Sequence, residues 1–461
     1  MRTIEFTLLA LVFGSVIGSF AFNKKNKRRQ AFLLVLSSIV FFAHGVVEGL
    51  RLQMGCVYLA LPILWLIFLF SKKKISRKKQ ISVISLSLLC LLGTLLSLYL
   101  FPVNTMPKPT GPYTVGTDSY ELTESGRKEL YGQEPHLDRH IRFQVWYPAD
   151  TKKGGKLTKW LVDGRKVASG IPVMYKLPDF LLDHTALVKS HSYKGLPISN
   201  KEQTYPLVII SHGWTGFSSL HSDLGEMFAS HGYIAVSINH TYGAAVSVFE
   251  NGEVVYVDPK ALPDRASVSN FDVYSHALVS TFANDDRAVL DFMETNPFFS
   301  DRIDKQRIGA MGHSTGGGGA VSFAITDSRI KAVLGFDAWV EPIDTNILEK
   351  GLQIPNAFLR SEQWETGPNN AFLKQLFENT TVKPSIYQVQ GGNHQDFSML
   401  YMYLPITRIL GATGSLDPLK NAEIQQSYAL TFFDQNLKQE EVDLQTWFRT
   451  HIAVSKITEF E

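Results

Sequence analysis

Apolar positions follow two different patterns along this chain. In the first hundred residues they form four unbroken runs, 6–22, 31–50, 55–70 and 81–101, separated by short polar joints. A membrane-crossing helix needs about 20 apolar residues, because the hydrocarbon core is about 30 Å thick. Run 81–101 has 21 residues and no charge, whereas run 55–70 has 16 and contains Pro62. The pattern predicts four transmembrane helices within residues 1–101, with 55–70 the weakest. His44 and Glu48, four residues apart at a helix end, are expected to snorkel to the interface.

After residue 112 the apolar runs become short and alternate with amphipathic stretches. Residues 141–147 (IRFQVWY) alternate as a strand; 206–210 (PLVII) and 233–238 (YIAVSI) read as fully buried strands. Further strands are expected at 307–311, 330–336, 356–359 and 385–389, with helices at 220–231, 278–295, 317–326 and 421–436. Buried strands alternating with helices of 10–18 residues indicate a mostly parallel sheet covered on both faces, an α/β domain spanning 113–461. Residues 102–112, with prolines at 102, 107, 109 and 112, read as a stiff linker. Residues 152–203 show no periodicity and are expected to form an insertion near the site, in the manner of a lid.

Charge sharpens this division. The whole chain carries a net +2, but residues 1–101 hold thirteen Lys and Arg against two acids, a net of +11, leaving −9 on the rest. Five of those bases sit in 23–30 and six in 71–80, whereas the joint between the second and third runs has only Glu48 and Arg51. Basic joints stay on the cytoplasmic side, so a multi-pass protein of the cell membrane is expected, with its N-terminus and everything after residue 101 outside. A composition of 45% hydrophobic and 19% charged residues excludes a disordered or collagen-like chain. The clustered bases read as topology signals and not as a nucleic-acid surface. Cys56 and Cys90 are the only cysteines, so the outer domain has no disulfide framework and no thiolate metal site.

The chemistry is concentrated in four places. Gly312-His313-Ser314-Thr315-Gly316 lies between an expected strand and an expected helix. This is the G-x-S-x-G turn that lifts a nucleophilic serine, Ser314, above the sheet; glycines let backbone and helix pass closely. Ser211-His212-Gly213-Trp214-Thr215-Gly216 follows an earlier strand. In this arrangement the N–H groups of Trp214 and Thr315 are the expected oxyanion donors, each worth about 3–4 kcal/mol. His212 is expected to orient its loop. For the base, His394 follows the strand 385–389 and is preferred over His451 in the C-terminal tail. For the acid, Asp337 and Glu362 each end a strand between nucleophile and base, and spacing leaves the two open.

These residues together resemble the platelet-activating factor acetylhydrolase isoform II family of serine esterases, as a bacterial membrane-anchored member, with a further likeness to cutinase-type polyester hydrolases. The likeness is carried by residues 111–117 (GPYTVGT), Trp146-Tyr147-Pro148, Ser211-His212-Gly213, the Ser314 turn, Phe336-Asp337-Ala338-Trp339 and His394-Gln395-Asp396-Phe397. It implies an α/β-hydrolase fold, places the acid on Asp337, and needs neither metal nor organic cofactor. The stretch Asn239-His240-Thr241-Tyr242-Gly243 resembles bacterial members, and His240, Tyr242, Trp339 and Phe397 are expected to line the substrate pocket. Two features depart from the animal enzymes: the N-terminal spans, and Thr315 followed by glycines where an aromatic residue usually stands. The resulting expectation is a membrane-tethered serine esterase acting on an ester or lipid, phospholipid-like or short-acyl. The alternatives are a general carboxylesterase or polyester hydrolase, and a catalytically silent membrane scaffold or signalling protein.

Overall fold

A computed structural model of the protein describes residues 2–21, 27–70, 77–132 and 137–460. The N-terminal part forms helices α1 (Thr3–Ala21), α2 (Lys27–Val47), α3 (Gly55–Phe70) and α4 (Arg77–Leu100). Three stretches are long and apolar enough to cross a membrane: Lys27–Val47, Leu52–Phe70 and Ile81–Leu100, with mean hydropathies of 2.0, 2.1 and 2.3. Among the described residues, three of the four expected spans meet this measure. Run 55–70 is not the weak one, because the 3₁₀ turn Leu52–Met54 leads directly into α3 and lengthens it. The short one is α1, whose apolar part is Thr3–Gly18. Phe42, Leu59 and Leu89 are exposed on these helices. Much of the two basic joints, residues 22–26 and 71–76, lies outside the described residues.

One end of the bundle is closed by a buried polar network. Glu5 is fully buried and accepts two of the three Arg51 guanidinium nitrogens, Nε at 2.6 and Nη2 at 2.7 Å. The third arm of Arg51 donates to Phe101 O (2.7 Å), at the end of α4. Glu48 accepts the N–H groups of Ile4 and Glu5 and so caps α1. His44 is buried too, bonded to Glu48 (3.1 Å) and to the Tyr58 hydroxyl (2.7 Å). Snorkelling of His44 and Glu48 is thus corrected: bonding partners from three helices hold them inside.

The 102–112 stretch carries no regular structure, yet it is anchored: Met106 is buried and Asn104 donates to Met402 O (2.8 Å). Residues 152–203 are not an irregular lid. They contribute two sheet strands and a 3₁₀ stretch, Asp179–Leu187, that packs at the foot of α4 through His184 and Phe101, ring centroids 5.5 Å apart. Trp160 fixes this segment by donating to Ser219 O at 2.7 Å.

The strands are β1 (Thr114–Lys128), β2 (Asp138–Ala149), β3 (Lys156–Lys159), β4 (Lys189–Lys194), β5 (Tyr205–Ser211), β6 (Ile234–Asn239), β7 (Val246–Val248), β8 (Val254–Tyr256), β9 (Ile303–His313), β10 (Ile330–Phe336), β11 (Asn356–Ser361), β12 (Ser385–Val389) and β13 (Val454–Lys456). Apart from the small hairpin β7–β8 they form one sheet in the order β13-β12-β11-β10-β9-β5-β6-β2-β1-β4-β3. From β6 to β12 neighbouring strands are parallel, and β2 and β13 flank them antiparallel. Every residue of β5 and β6 is buried, as a strand covered on both faces requires. Helices Phe271–Thr295 and Thr315–Thr326 build the core on one face, and Ser222–Ser230 and Pro418–Leu437 on the other. Strand β1, 15 residues of mixed polarity, has no periodic signature; it is held by its long antiparallel ladder with β2.

Candidate active site

Ser314 stands where β9 hands over to the helix Thr315–Thr326, with φ 54° and ψ −120°. Such a conformation is costly for a residue with a side chain and persists only when the surroundings enforce it. Here Ser314 N–H donates to Phe336 O (3.0 Å) while its own carbonyl accepts Trp339 N–H (2.9 Å). The glycines let the helix settle onto the strand ends. A Cβ on Gly316 would lie 2.4 Å from the carbonyl oxygens of Ser211 and His212, and one on Gly318 would lie 2.1 Å from Trp339 O.

Asp337 follows β10 with φ 41°, and its buried carboxylate accepts three hydrogen bonds. Ser361 N–H reaches Oδ1 at 2.7 Å, and the Ser361 hydroxyl reaches Oδ2 at 2.6 Å. The third donor is His394 Nδ1, 2.9 Å from Oδ2. His394 opens the 3₁₀ turn His394–Phe397 after β12, capped by Asn393 and Asp396. Glu362, the other candidate acid, bonds Gly391 N–H (2.7 Å) instead of the imidazole. His451 packs on Trp447 and bonds Ser427, within the C-terminal helices.

Ser314 meets this pair through its neighbour: the His313 ring lies 4.5 Å from that of His394. Among the described residues no Ser314 hydroxyl–His394 hydrogen bond is formed. Such bonds often tighten only when substrate is bound. Trp364 also stacks on His394, at 4.5 Å with the rings 5° from parallel. Neither Trp364 nor Ser361 carries a motif, and only the proximity of Glu362 in sequence points toward them.

The Trp214 loop adjoins the serine closely, since a Cβ on Gly213 would come within 2.9 Å of Ser314 Cβ. Thr215 and Gly216 N–H groups are used, bonding Gly243 O and Gly213 O at 2.9 Å, while no acceptor is recorded for Trp214 N–H among the described residues. Thr315 is the first residue of its helix, so its N–H has no acceptor within that helix. His212 bridges two loops: Nδ1 donates to Gly213 O (2.7 Å) and Nε2 accepts His240 N–H (3.2 Å). Burial holds this ring well below its usual pKa, and therefore neutral.

The four expected pocket residues separate. Trp339 is partly buried and donates to Glu341 (3.0 Å), and Tyr242 is half-buried against Gly132. His240 and Phe397 are corrected, because both lie inside the packed core. His240 is fully buried, stacked on Phe282 at 3.7 Å and bonded to Asp285 at 2.9 Å. Asp285 in turn holds the buried Arg139 at 2.7 Å, and these ionic partners keep its carboxyl ionised despite burial. Phe397 stacks on Phe336 at 5.1 Å, supporting the strand end beneath Asp337.

Residues 99–256 and 284–451 match the family described as platelet-activating factor acetylhydrolase, isoform II. The chain belongs to this family. Both stretches of the match lie beyond α1–α3, and together they contain Trp214, Ser314, Thr315, Asp337 and His394. Similar proteins include the platelet-activating factor acetylhydrolase of Cavia porcellus, 25% identical over 318 residues, covering 64% of this chain and 69% of that protein. Cutinase est2 of Thermobifida alba is 25% identical over 199 residues, covering 42% and 54% respectively. The fold is similar to that of a ferulic acid esterase from Streptomyces cinnamoneus, with a TM-score of 0.64 at 22% identity over 77% of this chain and 99% of that one. The protein is an ester-hydrolysing enzyme of the α/β-hydrolase type.

Proposed function

We propose that Ser314, His394 and Asp337 act as nucleophile, base and acid in the hydrolysis of a carboxylic ester, phospholipid-like or short-acyl, presented at the outer face of a membrane. The observation that carries this reading is the 2.9 Å bond between His394 Nδ1 and Asp337 Oδ2, made by a ring lying against the residue that precedes Ser314. With Nδ1–H committed to the carboxylate, Nε2 is left with its lone pair to take the Ser314 proton as Oγ attacks the carbonyl. The oxyanion then falls to the N–H groups of Trp214 and Thr315. His394 returns the proton to the departing alcohol, and water releases the acyl group by the same steps in reverse. Asp337, itself held by the Ser361 N–H and hydroxyl, keeps the imidazole oriented.

Membrane tethering is supported by the three apolar helices, and orientation by charge. The α1 N-terminus, the α2–α3 joint and the end of α4 meet in the Arg51 network, so the basic clusters of sequence follow α1 and α3 at their other ends. The positive-inside rule then places the catalytic part outside the cell. A broader carboxylesterase or polyester hydrolase is the second reading, favoured by the cutinase relatives.

The test uses the full-length protein in detergent. Hydrolysis of p-nitrophenyl acetate is expected, together with its loss in Ser314→Ala. Full activity in that variant refutes the mechanism, and an inactive wild type on every ester favours a silent scaffold. Rates on acetyl-phospholipid against simple esters of graded acyl length separate the first two readings.

A further inference from the structure

We propose that Trp364 is a positioning residue for this site: its indole face clamps the His394 ring and favours the imidazolium that forms when Ser314 gives up its proton. The inference rests on the reading of His394 as the base. Trp364 belongs to none of the hydrophobic clusters that build the core, so packing does not explain a large aromatic side chain at this position. What it does touch is the imidazole, in a near-parallel stack at 4.5 Å and 5°. An aromatic face carries partial negative charge and attracts a cation held over it, tryptophan most strongly.

The contact is held in register by the turn that carries it. Residues Glu362–Trp364 form one 3₁₀ turn after β11. Gln363 Oε1 accepts the His394 backbone N–H at 2.9 Å, and Glu362 Oε2 accepts Gly391 N–H at 2.7 Å. Two bonds from adjacent residues thus tie the turn to the loop bearing the base, leaving Trp364 over the ring.

The His313 ring also adjoins His394, tilted by 44° at 4.5 Å, and burial keeps it neutral, so it supplies bulk without charge. The ionisable groups around the base are Asp337 at the end of β10, Glu362 on the tryptophan's turn, Glu365 just after it, and Asp396 on its own turn, where it caps Asn393 and Gly414 N–H groups. All remain when Trp364 alone is replaced, which isolates the contribution of its π face.

The experiment measures kcat, KM and the pH profile of kcat/KM for the full-length wild type, Trp364→Leu, Trp364→Met and Trp364→Phe on p-nitrophenyl acetate. In the Leu and Met variants kcat is expected to fall about threefold to tenfold with KM unchanged, and the acidic limb to move about half a pH unit lower. Trp364→Phe should restore most of both. A simple loss of packing would lower the plateau without moving the limb. The pH dependence of Ser314 labelling by a fluorophosphonate gives the same limb without turnover, and the two apolar variants guard against one failing to fold. A limb unchanged in both apolar variants, with Ser314→Ala silent, overturns this inference alone. Activity surviving in Ser314→Ala overturns the underlying assignment.

Discussion

Replacing Asp337 by Asn tests the site at its most constrained atom. The carboxylate accepts from three donors: Ser361 N–H on Oδ1, and both the Ser361 hydroxyl and His394 Nδ1 on Oδ2. The Ser361 amide can only donate, so in the variant the amide oxygen must stay at the Oδ1 position. The new NH₂ then occupies the Oδ2 position and faces two former donors. The hydroxyl can rotate to accept. The imidazole can accept only by giving up its Nδ1 proton, which moves the proton to Nε2, the nitrogen meant to receive it from Ser314. The base is then present in the wrong tautomer. In serine hydrolases this change lowers kcat by about 10⁴-fold, equivalent to about 5.4 kcal/mol. We expect Asp337→Asn to lower kcat on p-nitrophenyl acetate by about 10³- to 10⁴-fold with KM little changed. Glu362→Gln, at a carboxylate that accepts Gly391 N–H and not the imidazole, is expected to lose far less. A loss smaller than about tenfold in Asp337→Asn would refute the assignment of the acid.

Two further expectations follow from packing and burial. Gly318→Ala would drive a methyl to within 2.1 Å of Trp339 O, whose own N–H holds Ser314 O, so a loss of about 2 kcal/mol in thermal unfolding and a displaced nucleophile are expected. Gly319→Ala, with its nearest neighbour at 3.0 Å, should be milder, and equal losses would argue against the close approach at Gly318. Burial raises the Glu226 carboxyl to about 8 although Ser192 and His191 N–H donate to it, so the folded state keeps a proton that the unfolded chain releases near 4.5. Stability should therefore fall as pH rises from about 4.5 to about 8, by up to about 5 kcal/mol, and Glu226→Gln should flatten that decline. Identical melting-temperature slopes in wild type and variant across this range would show that Glu226 is not the group responsible.

How much was legible in advance follows from where each signal is written. The parallel strands were, because a strand covered on both faces is mostly apolar and short between turn signals: 330–336 and 385–389 are predicted to the residue, although Lys331 and Gln388 interrupt them. The Ser314 turn was also legible, since its glycines answer contacts within a few residues of chain. Strand β1 was not, because its residues are of mixed polarity without a period, and its place is set by the ladder with β2. The same holds for β3 and β4, which turned an expected lid into the edge of the sheet.

By itself, then, the sequence determined what depends on local composition: apolar runs long enough for a bilayer, buried strands, and the residue types that can serve ester hydrolysis. Only the tertiary structure decided which of them meet. It brought His394 to Asp337 and gave Glu362 to the neighbouring loop, because the imidazole follows the register of β10, β11 and β12. It buried His240 behind Asp285 and Arg139, and closed the helical bundle with Glu5 and Arg51, 46 residues apart. It also laid Trp364 on the base. Hydrogen bonds and stacking act over a few ångströms between residues distant along the chain, and no periodicity records them.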